Sequence, residues 1–118
     1  MAQADESALQ FPLPDHLYGF AAQQSCEKLL KALISAHHQA YPFTHKFGEL
    51  EKVLGLFGEQ LPTLPYSLLL LEPFAVQHRY DLSDPLLESE RQGMRETVVT
   101  LREHVVARIL ELERGLNP

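Results

Sequence analysis

The side chains able to do chemistry in this chain form a polar set: Gln23, Gln24, Lys28, Lys31, His45, Lys46, Arg79 and Tyr80. On a helix, Gln24, Lys28 and Lys31 stand at i, i+4 and i+7 and share a face. That face can present an amide donor and two ammonium groups to a phosphate. Tyr80 has a ring to stack on a base, and Arg79 has a guanidinium for a phosphate or a carboxylate. Each residue also has an ordinary structural reading. Lys28 and Lys31 can be solvated side chains, and Arg79 can lock helices together by pairing with Glu27 or Glu72.

Familiar catalytic patterns are missing. The six glycines are scattered, and none forms G-x-G-x-x-G or G-x-x-x-x-G-K-[ST]. One cysteine and no H-E-x-x-H leave no zinc template. His37 and His38 are adjacent, so on a helix their side chains diverge by about 100° and do not chelate one ion. Ser35, near them, has no signature of an activated nucleophile. Cys26 falls in an apolar stripe and reads as a buried, inert thiol. Asp81, Asp84, Glu88 and Glu90 flank a helix start, where carboxylates meet the positive end of the dipole, so capping is their preferred role. We expect no metal and no cofactor.

With 118 residues and 45% apolar composition, the chain reads as one globular domain, residues 1–118. No apolar run approaches the roughly 20 residues needed to span a bilayer. The N-terminus has no basic segment followed by an apolar one, so no signal peptide is expected, and the single cysteine fits a reducing cytoplasm. A net charge of −6 argues against wholesale electrostatic attraction to nucleic acid. The charge is uneven, however. Residues 26–46 hold Lys28, Lys31 and Lys46 against Glu27 alone, with His37, His38 and His45 in the same stretch. An anion site belongs there; a normally solvated helix face and loop is the alternative.

The elements that must position these residues read as all-α, an up-and-down bundle of four to five helices. Strand alternation is absent. A short helix is expected over Asp5–Gln10, then one from an Asp15 N-cap to about His37, with Tyr18, Ala22, Cys26, Leu29 and Leu33 as its apolar stripe. Glu27 and Lys31 form an i, i+4 pair in the favourable orientation. After Pro42 a loop carries Thr44 and His45. A third helix, Phe47–Phe57, turns Phe47, Leu50, Val53, Leu54 and Phe57 inward and stops at Gly58. A fourth begins near Thr63 and Pro65; its Leu68–Leu71 run is apolar all round and reads as buried. Pro73 then kinks it or starts a new helix.

The last helix, capped by Ser83 or Asp84 with Pro85 in its first turn, is the longest. Met94, Val98, Leu101, Val105 and Leu112 form its seam, widened by Val99, Val106, Ile109 and Leu110. That exceeds the three apolar positions per heptad that one packed face needs. The surplus implies a second buried face and a homodimer through this helix; the alternative is a central helix covered on two sides within one monomer.

Three blocks in order carry a family resemblance: A-A-Q-Q-S-C-E-K-L-L-K-A from Ala21, P-F-T-H-K-F from Pro42, and F-A-V-Q-H-R-Y from Phe74. They resemble the HEPN family of small helical domains. Its helix pattern A-x-Q-Q-A-x-E-K-x-L-K-A is matched at Ala21, Gln23, Gln24, Glu27, Lys28, Leu30, Lys31 and Ala32. Its P-x-T-H-D-L corner is matched at Pro42, Thr44 and His45, and its Y-A-V-E-A-R-Y-P segment at Ala75, Val76, Arg79 and Tyr80. The resemblance implies an up-and-down bundle that usually dimerises, with a polar cleft near the dimer axis. It also implies nucleotide or RNA binding, in many cases beside a minimal nucleotidyltransferase, as in toxin–antitoxin systems.

Other members of that family are endoribonuclease toxins that use Arg, four to six residues, then His. The spacing is missing here after Arg79, Arg91, Arg95, Arg102 and Arg108. Lys46 replaces the usual Asp of the corner, Asp81 replaces the usual Pro, and the N-terminal segment is short. The reading that follows is a dimeric, non-catalytic module for a nucleotide or RNA, with Gln24, Lys28, Lys31, His45, Lys46, Arg79 and Tyr80 as ligand contacts. An endoribonuclease with a non-standard site and a protein–protein interaction module are the alternatives.

Overall fold

The computed structural model describes residues 6, 9, 13–75 and 85–116, with the backbone alone at 116. Among the described residues four α-helices have bounds: α1 (Asp15–Ala36), α2 (Phe47–Leu56), α3 (Leu68–Leu71) and α4 (Glu88–Leu116), with a 3-10 turn at Glu72–Ala75 following α3 directly. No strand occurs among the described residues, and the all-α expectation holds. The short helix expected over Asp5–Gln10 falls mostly outside the described residues, as do the caps Ser83 and Asp84.

The central helix is α1. Its stripe of Tyr18, Ala22, Cys26, Leu29 and Leu33 is buried, but so are Gly19, Ala21, Gln23, Ser25, Glu27, Leu30 and Ile34, on more than one face. Along one side α1 meets α4, and it also packs against α2, α3 and the 3-10 turn. Small residues in its first half make the close approach possible, with the Phe74 ring lying directly over Gly19. The side chain of Asp15 does not cap α1. Pro14 holds the N-cap position, and the Asp15 carboxylate is committed across the fold to the Leu86 N–H and to Arg91.

At α2 the fold supplies a cap that the local sequence does not. Lys46 occupies the N-cap without a side-chain bond, and Glu72 Oε1 accepts the Phe47 N–H at 2.7 Å. Its other end closes as expected at Gly58, with φ of 79°. The Glu59 N–H reaches the Leu54 carbonyl and the Gly58 N–H that of Gly55, a Schellman closure that needs the left-handed residue. Phe47, Leu50 and Leu54 are buried, Val53 is partly so, and Phe57 stays at the surface, stacked on His37 at 5.1 Å.

Helix α3, the one expected from near Thr63 and Pro65, is shorter than expected. It starts at Leu68, after Ser67 Oγ accepts the Leu69 N–H, and not near Thr63. Residues 59–67 before it form no helix and bend at Pro65 and Tyr66, held where Thr97 Oγ1 accepts the Tyr66 N–H at 2.8 Å. One turn has only one inner face. Leu68 and Leu71 take it, and Leu69 and Leu70 remain 65% and 58% exposed, contrary to burial all round. Pro73, which has no amide donor, falls in the 3-10 turn.

In α4, Met94, Val98, Leu101 and Val105 are buried and Leu112 and Ile109 pack at the edge of the core. The helix begins at Glu88, so Pro85 precedes it; Leu86, next in chain, is tied to Asp15. Glu90 accepts the Leu87 N–H at 3.0 Å, the capping role expected of an acidic residue here. The surplus apolar residues Val99, Val106 and Leu110 are 36%, 48% and 46% exposed. The alternative of α4 as a helix covered on two sides within the monomer is not what is seen: α1 has that position.

Candidate functional site around Glu27

Gln23, Glu27 and Lys31 follow one another at i, i+4 spacing along α1, so a carboxylate stands between an amide and an ammonium group. All three are used. Gln23 Nε2 donates to Glu27 Oε1 at 2.7 Å and Lys31 Nζ donates to Oε2 at 2.9 Å. His45, brought back by the loop after α1, places Nδ1 2.7 Å from Oε1. Gln24 Nε2 donates to Gln23 Oε1 at 2.7 Å, extending the network toward the surface. Gln23 and Glu27 are buried, Lys31 is mostly so, and the His45 side chain is 64% exposed.

The electrostatics close on Glu27. Burial raises its pKa, but hydrogen bonds from His45, Lys31 and Gln23 together outweigh that and hold it below the usual glutamate value. An ionised carboxylate offers only lone pairs, so His45 Nδ1 must carry the hydrogen in this contact. Nε2 is then the ring nitrogen left for a ligand. Lys31 Nζ also stands 5.2 Å over the centre of the Tyr41 ring, which fixes the ammonium group further.

Of the residues singled out in the sequence, the structure joins Gln24, Lys31 and His45 through Gln23 and Glu27. Lys28 is half-buried one turn from Gln24 and makes an interaction of its own. The Lys46 side chain is exposed beside His45, and its N–H donates to Thr44 Oγ1 at 3.1 Å. Arg79 and Tyr80 lie outside the described residues. The residue that sequence reasoning missed as a site member is Glu27, which entered only as a partner for Lys31 or Arg79. Its signal was present in the double i, i+4 spacing to Gln23 and Lys31.

A second buried carboxylate, Glu59, is saturated by Arg108, which donates from Nε and Nη2 at 2.9 and 2.8 Å, and by His37 Nε2 at 2.8 Å. Three other arginines of α4 are occupied too. Arg91 bonds Asp15 and the Leu13 carbonyl and lies over the Tyr18 ring, Arg95 donates to the Tyr18 hydroxyl, and Arg102 pairs with Glu6. Each is a tie between α4 and the rest of the fold. Among the described residues no group of three or more His, Cys, Asp or Glu is placed to hold a metal ion.

A family model for the HEPN domain matches residues 16–112, from the first turn of α1 to the last turns of α4. The chain belongs to the HEPN domain family. The match takes in the whole Glu27 network and the long last helix, and it places this HEPN domain in a family generally related to nucleotides and RNA. No curated protein and no solved structure matches the chain. No helix of the described residues is long and apolar enough to cross a membrane.

Proposed function

We propose that this HEPN domain is a non-catalytic, cytoplasmic binding module that holds a nucleotide or an RNA segment as a homodimer and presents it to a small nucleotidyltransferase. The observation that carries the reading is the Glu27 network. It neutralises a buried carboxylate, fixes the orientation of an exposed histidine ring, and leaves that ring next in sequence to the exposed Lys46. The His45 imidazolium, donating from Nε2, and the Lys46 ammonium are the leading phosphate contacts, with Lys28 and Gln24 flanking them on α1. Lys31 acts inside the network by holding Glu27. Arg79 and Tyr80 complete the proposed ligand set, Tyr80 as the stacking ring. The homodimer is supported by the outward row of Val99, Val106 and Leu110 on α4.

Calorimetric titration with ATP and with a ten-nucleotide RNA at two salt concentrations tests it. Salt-sensitive binding that weakens about tenfold in His45→Ala/Lys46→Ala supports the reading, since two phosphate contacts are removed. Absence of binding to either probe, or binding that ignores both substitutions, sinks it. Incubation with RNA separates the module from a nuclease. The missing Arg–His spacing predicts no cyclic-phosphate ends.

A further inference from the structure

A groove lies between α2 and residues 59–69, made of two adjoining hollows of about 520 and 310 Å³ that share Glu51, Leu61 and Pro62. Its apolar lining is built by Leu54 at the base and by Leu61 and Leu64, both only partly buried. At the far end stands Leu69, 65% exposed because the single turn of α3 cannot bury it. Among the described residues no lysine, arginine or histidine lines either hollow. Glu59, at one end, is already saturated by Arg108 and His37. Glu51, shared by both hollows, has no cationic partner among the described residues. Desolvation by the neighbouring groove walls and the nearby charge of Glu72 both raise its pKa, although the side chain is exposed. The groove therefore combines apolar surface open to solvent with a carboxylate that has no counter-charge among the described residues.

We propose that this groove docks a segment of a partner protein in which apolar side chains flank a lysine or arginine. The apolar groups cover Leu61, Leu64 and Leu69, and the cation faces Glu51. Charge complementarity selects this occupant. Nucleic acid would bring phosphates to Glu51 and Glu72, whereas a lysine or arginine flanked by apolar side chains matches both the charge and the lining. The surface is separate from the Glu27 network and does not depend on the nucleotide-binding reading.

The test uses the whole chain and a fluorescein-labelled eight-residue peptide of alternating leucine and lysine, with a leucine–glutamate peptide as control. Anisotropy follows binding, and amide shifts in ¹⁵N spectra map it. The expected result is saturable binding of the lysine peptide alone, with the largest shifts at Glu51, Leu61 and Leu64. Glu51→Lys is expected to weaken it about tenfold, as reversal of a desolvated rim charge does, and Leu69→Ser about threefold. Both positions are exposed, so unchanged melting temperatures show that the variants fold. Equal binding of the two peptides, unchanged affinity in Glu51→Lys, or shifts centred on Val99, Val106 and Leu110 overturn the proposal. Glu51→Gln is expected to leave ATP and RNA titrations as they are, which keeps this outcome distinguishable from failure of the nucleotide reading.

Discussion

His45 Nδ1 and Glu27 Oε1 lie 2.7 Å apart, so the loop that follows α1 is tied back to the middle of that helix by a charge-assisted bond. The same oxygen takes the Gln23 amide, and Lys31 takes the other. Removing the carboxylate strands a buried amide and a mostly buried ammonium group. Glu27→Ala is expected to cost about 2–4 kcal/mol in urea unfolding, set by the loss of one partner from a buried charged network. His45→Ala removes a ring that is already largely in water and is expected to cost about 1 kcal/mol or less. If the two variants are equally destabilised, His45 is structural, and its part in ligand binding has to be reconsidered.

Acid should unfold the protein in a defined window. Asp15 is held low chiefly by its bond from Arg91, and Glu59 chiefly by that from Arg108; at Glu27 burial opposes the shift, but three hydrogen bonds overcome it. For each, the folded pKa lies below the unfolded one. The stability it contributes is therefore complete above the unfolded value and lost as pH falls through the folded one. The melting temperature is expected to hold between about pH 6 and 8 and to fall below 4.5, the ordinary glutamate value. Glu51 has the opposite sign: its raised pKa makes its charge unfavourable at neutral pH. Melting curves should show Glu51→Gln slightly stabilised at pH 7 and Glu59→Gln destabilised.

What could be read in the sequence was what neighbours along the chain determine. The stripe from Tyr18 to Leu33, the Gly58 stop and the Glu27–Lys31 pair all rest on spacings of a few residues. The relations that were missed link distant segments. The cap of α2 comes from Glu72, 25 residues after Phe47, and Asp15 serves Leu86, 71 residues away. No local pattern carries those pairings. Leu69 and Leu70 were expected inside because a run of four leucines looks buried, whereas one isolated turn offers a single inner face. At the site, only the Glu27–Lys31 pair was legible; Gln23 stands at the same spacing on the other side of Glu27, but its amide has no charge to mark it as a partner. The arrival of His45 required the loop to fold back.

Gly19 should be intolerant of a methyl group. A Cβ there would run into the Phe74 ring, far inside contact distance. Alanine gains roughly 1 kcal/mol of helix propensity over glycine, but forcing the Phe74 ring away costs more, about 1–3 kcal/mol. Gly19→Ala is expected to lower stability and Gly55→Ala, with open space around its Cα, to raise it. Thermal melts of the double variant Gly19→Ala/Phe74→Leu should show the two changes to be non-additive.

Cys26 provides a probe of opening. It is wholly buried and burial pushes its thiol up to about 12. Thiolate is the reactive form, and an unfolded cysteine has a pKa near ~8.5, so reaction in the native state proceeds only through opening. Ellman's reagent at pH 8 is expected to react at least ~100-fold faster in urea than in buffer, as the thiolate becomes both accessible and populated. Rapid labelling of the native protein would show that α1 is not the closed centre described.

The two faces of α4 predict opposite phenotypes one residue apart. Val98 and Val105 are buried against the core, so Val105→Ala should cost about 1–3 kcal/mol by leaving a cavity while preserving oligomeric state. Val99, Val106 and Leu110 face outward at helical spacing, and the proposed homodimer needs that row. Val106→Glu/Leu110→Glu places two carboxylates and their symmetry mates in one interface, where burial without partners is strongly unfavourable. Light scattering after gel filtration is expected to give a dimer for the native chain and a monomer of unchanged helix content for this variant. A monomeric native chain, or a dimer that survives the two charges, rules out this face as the contact and leaves Val99, Val106 and Leu110 as ordinary surface.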